Sequence, residues 1–281
     1  TSPTNANISP NPTTYSWTRV AYPALNPALP NGLEASSGTN GISEVLINKT
    51  SNPINVTYIY TLSSLVNDLT EACEETFSVT VTVNPEPVVA NQNVTASCSD
   101  VALGSSFNSS SSVAAATYNV TGLNLNGLTV SAGGAAVANG LVSTSLSNDA
   151  FTNTTSGDVN VIYTVVPVSA ASCAGNVFTV TVPVKPEPVV ANQTTTICSD
   201  VAIGVTLGND ANTPAVTSYN ITSITNSANL TASAGSPATG TGLLANEISN
   251  DAWTNTTATN QTIIYTVVPV ADNGCEGNAF T

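Results

Sequence analysis

VNVIYTVVPV at residues 159–168 and FTVTVPV at residues 178–184 decide the fold. Both stretches are built from Val, Ile, Tyr, Phe and Thr, which suit a pleated, half-buried surface and form helices poorly. Their apolar residues alternate or run on, and SAASCAGN at residues 169–176 parts them. The pattern predicts the two strands of a hairpin. Upstream of it, shorter strands are expected at 93–98, 101–107, 116–121, 128–132 and 141–146, separated by clusters of Gly, Asn and Ser. Seven or so short strands in about 100 residues are the signature of an immunoglobulin-like sandwich. No segment carries a helical period with caps, so the chain is expected to be all-β.

The same unit returns along the chain. PEPVVANQNVTASCSDVALG at 85–104 recurs as PEPVVANQTTTICSDVAIG at 186–204, and SNDAFTNTTSGDVNVIYTVVPV from Ser147 recurs from Ser249 as SNDAWTNTTATNQTIIYTVVPV. The offset is 101 residues at Pro85, 100 at Cys98 and 102 at Tyr163, so insertions fall in loops and the framework is kept. Residues 1–84 read as a divergent copy. INVTYIYTL at 54–62 takes the place of VNVIYTVV, with Tyr60 lying 103 residues ahead of Tyr163, and FSVTVTVNPEP at 77–87 matches FTVTVPVKPEP at 178–188. Three domains follow: 1–84, truncated at its start; 85–185, complete; and 186–281, truncated at its end. Asn84-Pro85-Glu86-Pro87 and Lys185-Pro186-Glu187-Pro188 connect them. Proline fixes φ and extends its predecessor, so these short Pro-rich linkers are expected to string the sandwiches into an extended rod.

Composition narrows the function by exclusion. Among 281 residues Asn, Thr and Ser supply 34, 42 and 32, charged residues only 7%, and His and Met are absent. Without His there is no Ser-His or Cys-His nucleophile pair and no His-ligated zinc. Three cations against a net charge of −14 exclude the phosphate neutralisation that drives nucleic-acid binding. No apolar run approaches the roughly 18 residues of a membrane-spanning helix. A hydrophobic fraction of 41% sets the chain apart from a disordered one. The start at Thr1 carries no initiator and no signal-peptide pattern, which reads as a processed product or a window cut from a longer chain.

Each full repeat has one early and one late cysteine: Cys98 with Cys173, and Cys198 with Cys275. Pairing within repeats is the favoured expectation, and it leaves the partner of Cys73 ahead of Thr1. The rival pairs Cys73 with Cys98 and Cys173 with Cys198, both at a spacing of 25, and would staple neighbouring domains. Isolated buried thiols are the third reading, since spacing does not decide connectivity. Paired cysteines imply an oxidising, extracellular compartment.

Other residues that invite a functional reading have plainer alternatives. Asp100, Asp200, Asp149 and Asp251 recur in register but sit in turns, where Asp caps its own backbone; a catalytic carboxylate pair is not expected, and neither is an enzyme. Asp210 in GNDAN at 208–212 is the calcium candidate, although the middle repeat has SSFNSSS at that place, with no carboxylate. Trp253 and Phe151 hold equivalent places; exposed, they would stack on a sugar face, and buried, they would anchor a loop. Tyr60, Tyr163 and Tyr265 read as core, with their hydroxyls bonded across a corner. Tyr15-Ser16-Trp17 reads as a central strand with inward aromatics. The sequons at Asn119, Asn153, Asn220 and Asn255 are expected by chance in so Asn- and Thr-rich a chain.

ICSDVAIG, SNDAWTNTT and VIYTVVPVSAASCAGNVFTVTV running into KPEP together resemble the PKD-like repeats of very long Bacteroidetes cell-surface proteins, including gliding-motility adhesins of the SprB type. The likeness covers residues 85–281 and, more loosely, 1–84. It implies export by the type IX secretion system and display as a cell-surface filament attached to the outer membrane. The partners implied are neighbouring repeats, the secretion and motility machinery, and surfaces or glycans met through a tip outside these residues. No catalytic residue carries over, and no cofactor is expected apart from the calcium considered at Asp210. A structural, adhesive stalk is therefore the first expectation. The second is a repeat array that itself binds glycan through the Trp253/Phe151 loop, and the third an accessory module of a secreted enzyme.

Overall fold

The computed structural model describes residues 13–39, 41–65, 72–208 and 213–281. In repeat 1, strands β1 (Thr13–Arg19), β2 (Ser36–Gly38), β3 (Ile54–Leu65) and β4 (Ala72–Val83) form one antiparallel sheet in the order β2-β1-β3-β4. β1 is thus central, as its aromatics suggested. Trp17 packs edge-on against Tyr58 at 5.6 Å and helps bury Leu25, Leu33 and Val56.

Repeat 2 shows the architecture in full. Its strands are β5 (Gln92–Asn93), β6 (Ser97–Cys98), β7 (Ala115–Asn124), β8 (Thr129–Ala132), β9 (Ala138–Leu141), β10 (Ala150–Thr152), β11 (Val159–Ser169) and β12 (Phe178–Lys185). One sheet runs β5-β12-β11-β7-β9, with β6 also on β12, and β10 pairs β8 in the opposing layer. Period-two alternation builds the core: Val161, Tyr163 and Val165 of β11 and Phe178, Val180, Val182 and Val184 of β12 are all buried. Residues 101–107, expected as a strand, form an irregular edge to the second layer; Leu103, Gly104 and Phe107 donate their amides to Asp149, Ser147 and Ser143. The strand expected at 141–146 is displaced. β9 ends at Leu141, and Ser143–Leu146 is a 3-10 turn. Gly140 at φ +71° makes the bulge, and the Asn119 side chain accepts its amide at 2.8 Å.

Repeat 3 follows with β13 (Val216–Asn226), β14 (Leu230–Ala234), β15 (Gly240–Leu243), β16 (Ala252–Asn255) and β17 (Ile263–Ala271), paired β15-β13-β17 and β14-β16. Tandem β-sandwiches thus account for the chain.

The direction of β5 and β6 matters most for function. Both run parallel to β12, with Val180 opposite Gln92 and Lys185 opposite Cys98. A repeat is therefore entered at one end and left at the other. The upstream end of repeat 2 holds Pro87 and the turn around Cys173, where Gly175 lies so close that a Cβ would sit 2.0 Å from the Pro87 carbonyl. The downstream end holds Cys98, Asn153 and Lys185.

Register also corrects one alignment. β3 meets β4 with Tyr58 opposite Val79, as Tyr163 faces Val180, so the counterpart of Tyr163 is Tyr58 and not Tyr60. Tyr60 takes the place of Val165 and stacks on Phe77 at 5.1 Å.

Candidate functional site at the joints between repeats

Residues from three elements meet where repeat 2 ends and repeat 3 begins. Cys98, at the end of β6, is bonded to Cys275, in the turn after β17, with Sγ–Sγ 2.06 Å and Cα–Cα 5.4 Å. Asn273 Nδ2 donates to the Pro186 carbonyl at 2.9 Å, and Asn278 Nδ2 to Glu187 Oε1 at 3.3 Å. Glu187 is 1% exposed, faces Asp100 and Ser99, and donates its amide to the Asn153 carbonyl at 2.9 Å. Burial pushes its carboxyl up to about 7, the neighbouring Asp100 adds to the rise, and a bond from Ser99 opposes it.

This disulfide overturns both pairings drawn from spacing. Cys98 and Cys173 stand at opposite ends of one sandwich, separated by the length of β12, about 25 Å for eight residues. A disulfide spans at most about 7 Å between Cα atoms. Cys98, the early cysteine of repeat 2, instead reaches Cys275, the late cysteine of repeat 3. Cys173 and Cys198 carry free thiols; Cys198 is exposed, and Cys173 Sγ lies 4.0 Å from the Asn84 carbonyl of repeat 1.

The joint between repeats 1 and 2 uses the same backbone with other side chains. Glu86 donates its amide to the Asn48 carbonyl at 2.9 Å, and its Oε1 lies 3.8 Å from Lys49 Nζ without a hydrogen bond. Beneath both joints lies a brace that the sequence reading passed over as chance sequons. In Asn48-Lys49-Thr50, Asn153-Thr154-Thr155 and Asn255-Thr256-Thr257 the Asn Oδ1 accepts both the amide and the hydroxyl of the Thr two residues on. Asn48 and Asn153 also donate Nδ2 to the last strand, at Val83 and Val184. The signal was there in the recurrence of Asn-x-Thr at 48, 153 and 255 in one register.

Most of the remaining candidates fall into the core. Phe151 and Trp253 are buried, and Trp253 Nε1 donates to the Tyr265 hydroxyl at 3.2 Å, so neither ring offers a face to a ligand. Asp149 and Asp251 do not cap their own turns. Each is buried and accepts a tyrosine hydroxyl at 2.7 Å, from Tyr163 and Tyr265 respectively. Burial raises both carboxyls while the tyrosine bond opposes the rise. Repeat 1 makes the corresponding bond with Tyr58 to Glu44, and Arg19 forks onto Glu44 at 2.9 and 2.6 Å. The Arg19 bond holds Glu44 below the usual carboxylate range, whereas burial and then Glu44 push Tyr58 up to about 12. Asp100 and Asp200 do sit in turns, at φ +59° and +63°, and accept the hydroxyls of Thr152 and Thr254. Asp210 lies outside the described residues. Among the described residues no three His, Cys, Asp or Glu side chains converge as a metal site requires.

Sandwich repeats with opposed ends and a covalent joint define an extracellular module of structural or adhesive type. The sequence profile of the PKD-like domain matches residues 3–87, 95–188 and 195–281, and the chain belongs to that family. Among curated proteins none matches it. Among solved structures it is similar to the FN1–FN3 domains of chicken CNTN1 at 10% identity, over 95% of this chain and 86% of that one, with a TM-score of 0.28.

Proposed function

We propose that these repeats are a load-bearing stalk segment of a long secreted cell-surface adhesin filament serving surface attachment and gliding motility. The observation that carries this reading is the parallel pairing of β5 and β6 with β12. Where Cys98 and Cys275 are reduced, tension applied through the two linkers of repeat 2 pulls these strands in opposite directions along their length, so it shears their backbone bonds together instead of peeling them in turn. Val94 N to Thr181 O at 2.9 Å and Ser99 N to Lys185 O at 3.0 Å lie on that seam. Where Cys98 and Cys275 are joined, the disulfide carries the load past that seam by a covalent bond. Burial of Trp253 and Phe151 removes the observation on which a glycan-binding array rested. The resemblance to gliding-motility adhesins supports the choice of filament, with attachment made through a tip beyond these residues and display by the outer-membrane secretion and motility machinery.

Small-angle scattering of the oxidised chain tests the reading. A stalk gives a rod-like profile with a maximum dimension near three sandwich lengths. A profile of one compact body would overturn it.

A further inference from the structure

The exposed thiol of Cys198 lies in a turn that repeats, bond for bond, the turn already engaged at the second joint. Asp200 N donates to Trp253 O as Asp100 N does to Phe151 O. Asn255 N donates to Ser199 Oγ as Asn153 N does to Ser99 Oγ, and Asp200 and Asp100 accept from Thr254 and Thr152. In repeat 2 this Cys-Ser-Asp turn is covered: Ser99 is buried and Cys98 is bonded to the next repeat. In repeat 3 Ser199 and Cys198 are exposed. The late position points the same way, because Cys173 stands against Asn84, the counterpart of the Lys185 that pairs with Cys98.

We infer that Cys198 is a covalent attachment site for the upstream end of a following PKD-like repeat, through a cysteine at the place Cys275 holds in repeat 3. The step joins two thiols as a disulfide. Their two protons and two electrons pass to a small disulfide or a disulfide-exchange partner of the oxidising compartment, which is reduced to two thiols.

The consequence deepens the stalk reading and rests on it. The loop closed by Cys98 and Cys275 contains Cys198, so a bond from Cys198 to the following repeat closes a second loop that contains Cys275. The loops overlap. With the Cys98–Cys275 bond alone, tension bypasses residues 99–274; with both bonds closed, it passes between the two staples through the stretches they share, of which Cys198 to Cys275, 77 residues, is the shortest. A stalk linked in this way lengthens less by unfolding its sandwiches than an unlinked one.

Disulfide mapping of the intact secreted protein, alkylated before non-reducing digestion, tests the inference. The expected product is a Cys198 peptide joined to a peptide from a PKD-like repeat with cysteine at the Cys275 place. Replacing Cys198→Ser should leave that partner newly alkylated, at close to one label per chain. Cys198 recovered as an alkylated thiol, or joined to Cys173 or to a small thiol, overturns the inference. Mapping reads connectivity and scattering reads shape, so failure here and failure of the stalk reading are separable.

Discussion

At the first joint Glu86 meets Lys49, and Cys173 stands unpaired against the Asn84 carbonyl; at the second Glu187 meets Asp100, and Cys98 is bonded to Cys275. The backbone is shared, since each Glu amide donates to the carbonyl of the braced Asn, at 2.9 Å in both cases. The difference therefore lies in side chains alone. One joint is held by opposite charges, the other by a covalent bond beside a buried carboxyl. The two joints of this chain thus differ in the side chains that hold them while keeping one backbone bond.

Removing the staple should produce the largest change. Cys98 and Cys275 are 177 residues apart, so the bond hides up to about 640 Å of extended chain. Forced extension of the oxidised protein should release repeat 1 and little more, whereas Cys275→Ser should release all three repeats. Chain entropy puts the equilibrium cost at about 5 kcal/mol for a loop of that size. Equal extension in the two proteins would dissolve the distinction between the joints.

In the Cys275→Ser background the second joint should also respond to pH. Glu187 binds its proton more tightly folded than unfolded, because its carboxyl rises from the usual 4.5 to about 7. The stabilisation is whole below about 4.5 and is lost as pH climbs through about 7, amounting to about 3 kcal/mol. Fluorescence transfer between dyes on repeats 2 and 3 should show the joint loosening from pH 5 to pH 8. Glu187→Gln, whose amide still donates towards Asp100, should hold the acid form throughout. A Gln variant with the same pH profile would remove the carboxyl from the account.

How far such differences are legible in sequence depends on the range over which they act. Alternation in residues 159–184 specifies β11 and β12 because each side chain reports its own burial. Repeat identity shows where the units recur. Connectivity is different, since it depends on which end of the sandwich a residue occupies. Cys98 and Cys173 look like partners along the chain and are kept apart by β12. Asp149 looked like a turn cap because its hydrogen-bond partner, Tyr163, lies 14 residues away. The Asn-x-Thr brace was visible but indistinguishable from chance in so Asn-rich a chain. Only the bonds from Asn153 to Val184 and from Glu187 to Asn153 reveal that it carries the joint.

That shared brace supplies the control. Asn48→Ala and Asn153→Ala each remove bonds to a loop carbonyl and to the last strand, at Asn52 and Val83 or at Gly157 and Val184. Each should cost its own repeat about 1–3 kcal/mol in calorimetric unfolding, with the carbonyl of the last strand left unpaired. Similar losses would place the difference between the joints in the residues above the brace. A loss confined to Asn153→Ala would mean that the brace itself differs.

The smallest effect is expected at Lys49. Its side chain is 32% exposed and that of Glu86 20%, and their 3.8 Å separation is an ion pair without a hydrogen bond. Pairs of this kind contribute about 0–1 kcal/mol, and salt screens them. Lys49→Met keeps the aliphatic stem and removes the charge. It should lower the unfolding midpoint of repeat 1 slightly, by an amount that vanishes in about 1 M salt, where the Debye length is about 3 Å. The rest of the Glu86 side chain is partly exposed, but Oε1 itself is buried without a hydrogen-bond partner, so water offsets the lost cation only in part. A loss as large as that of Asn48→Ala, unchanged by salt, would show Glu86 to be as desolvated as Glu187. The two joints would then differ only in the disulfide.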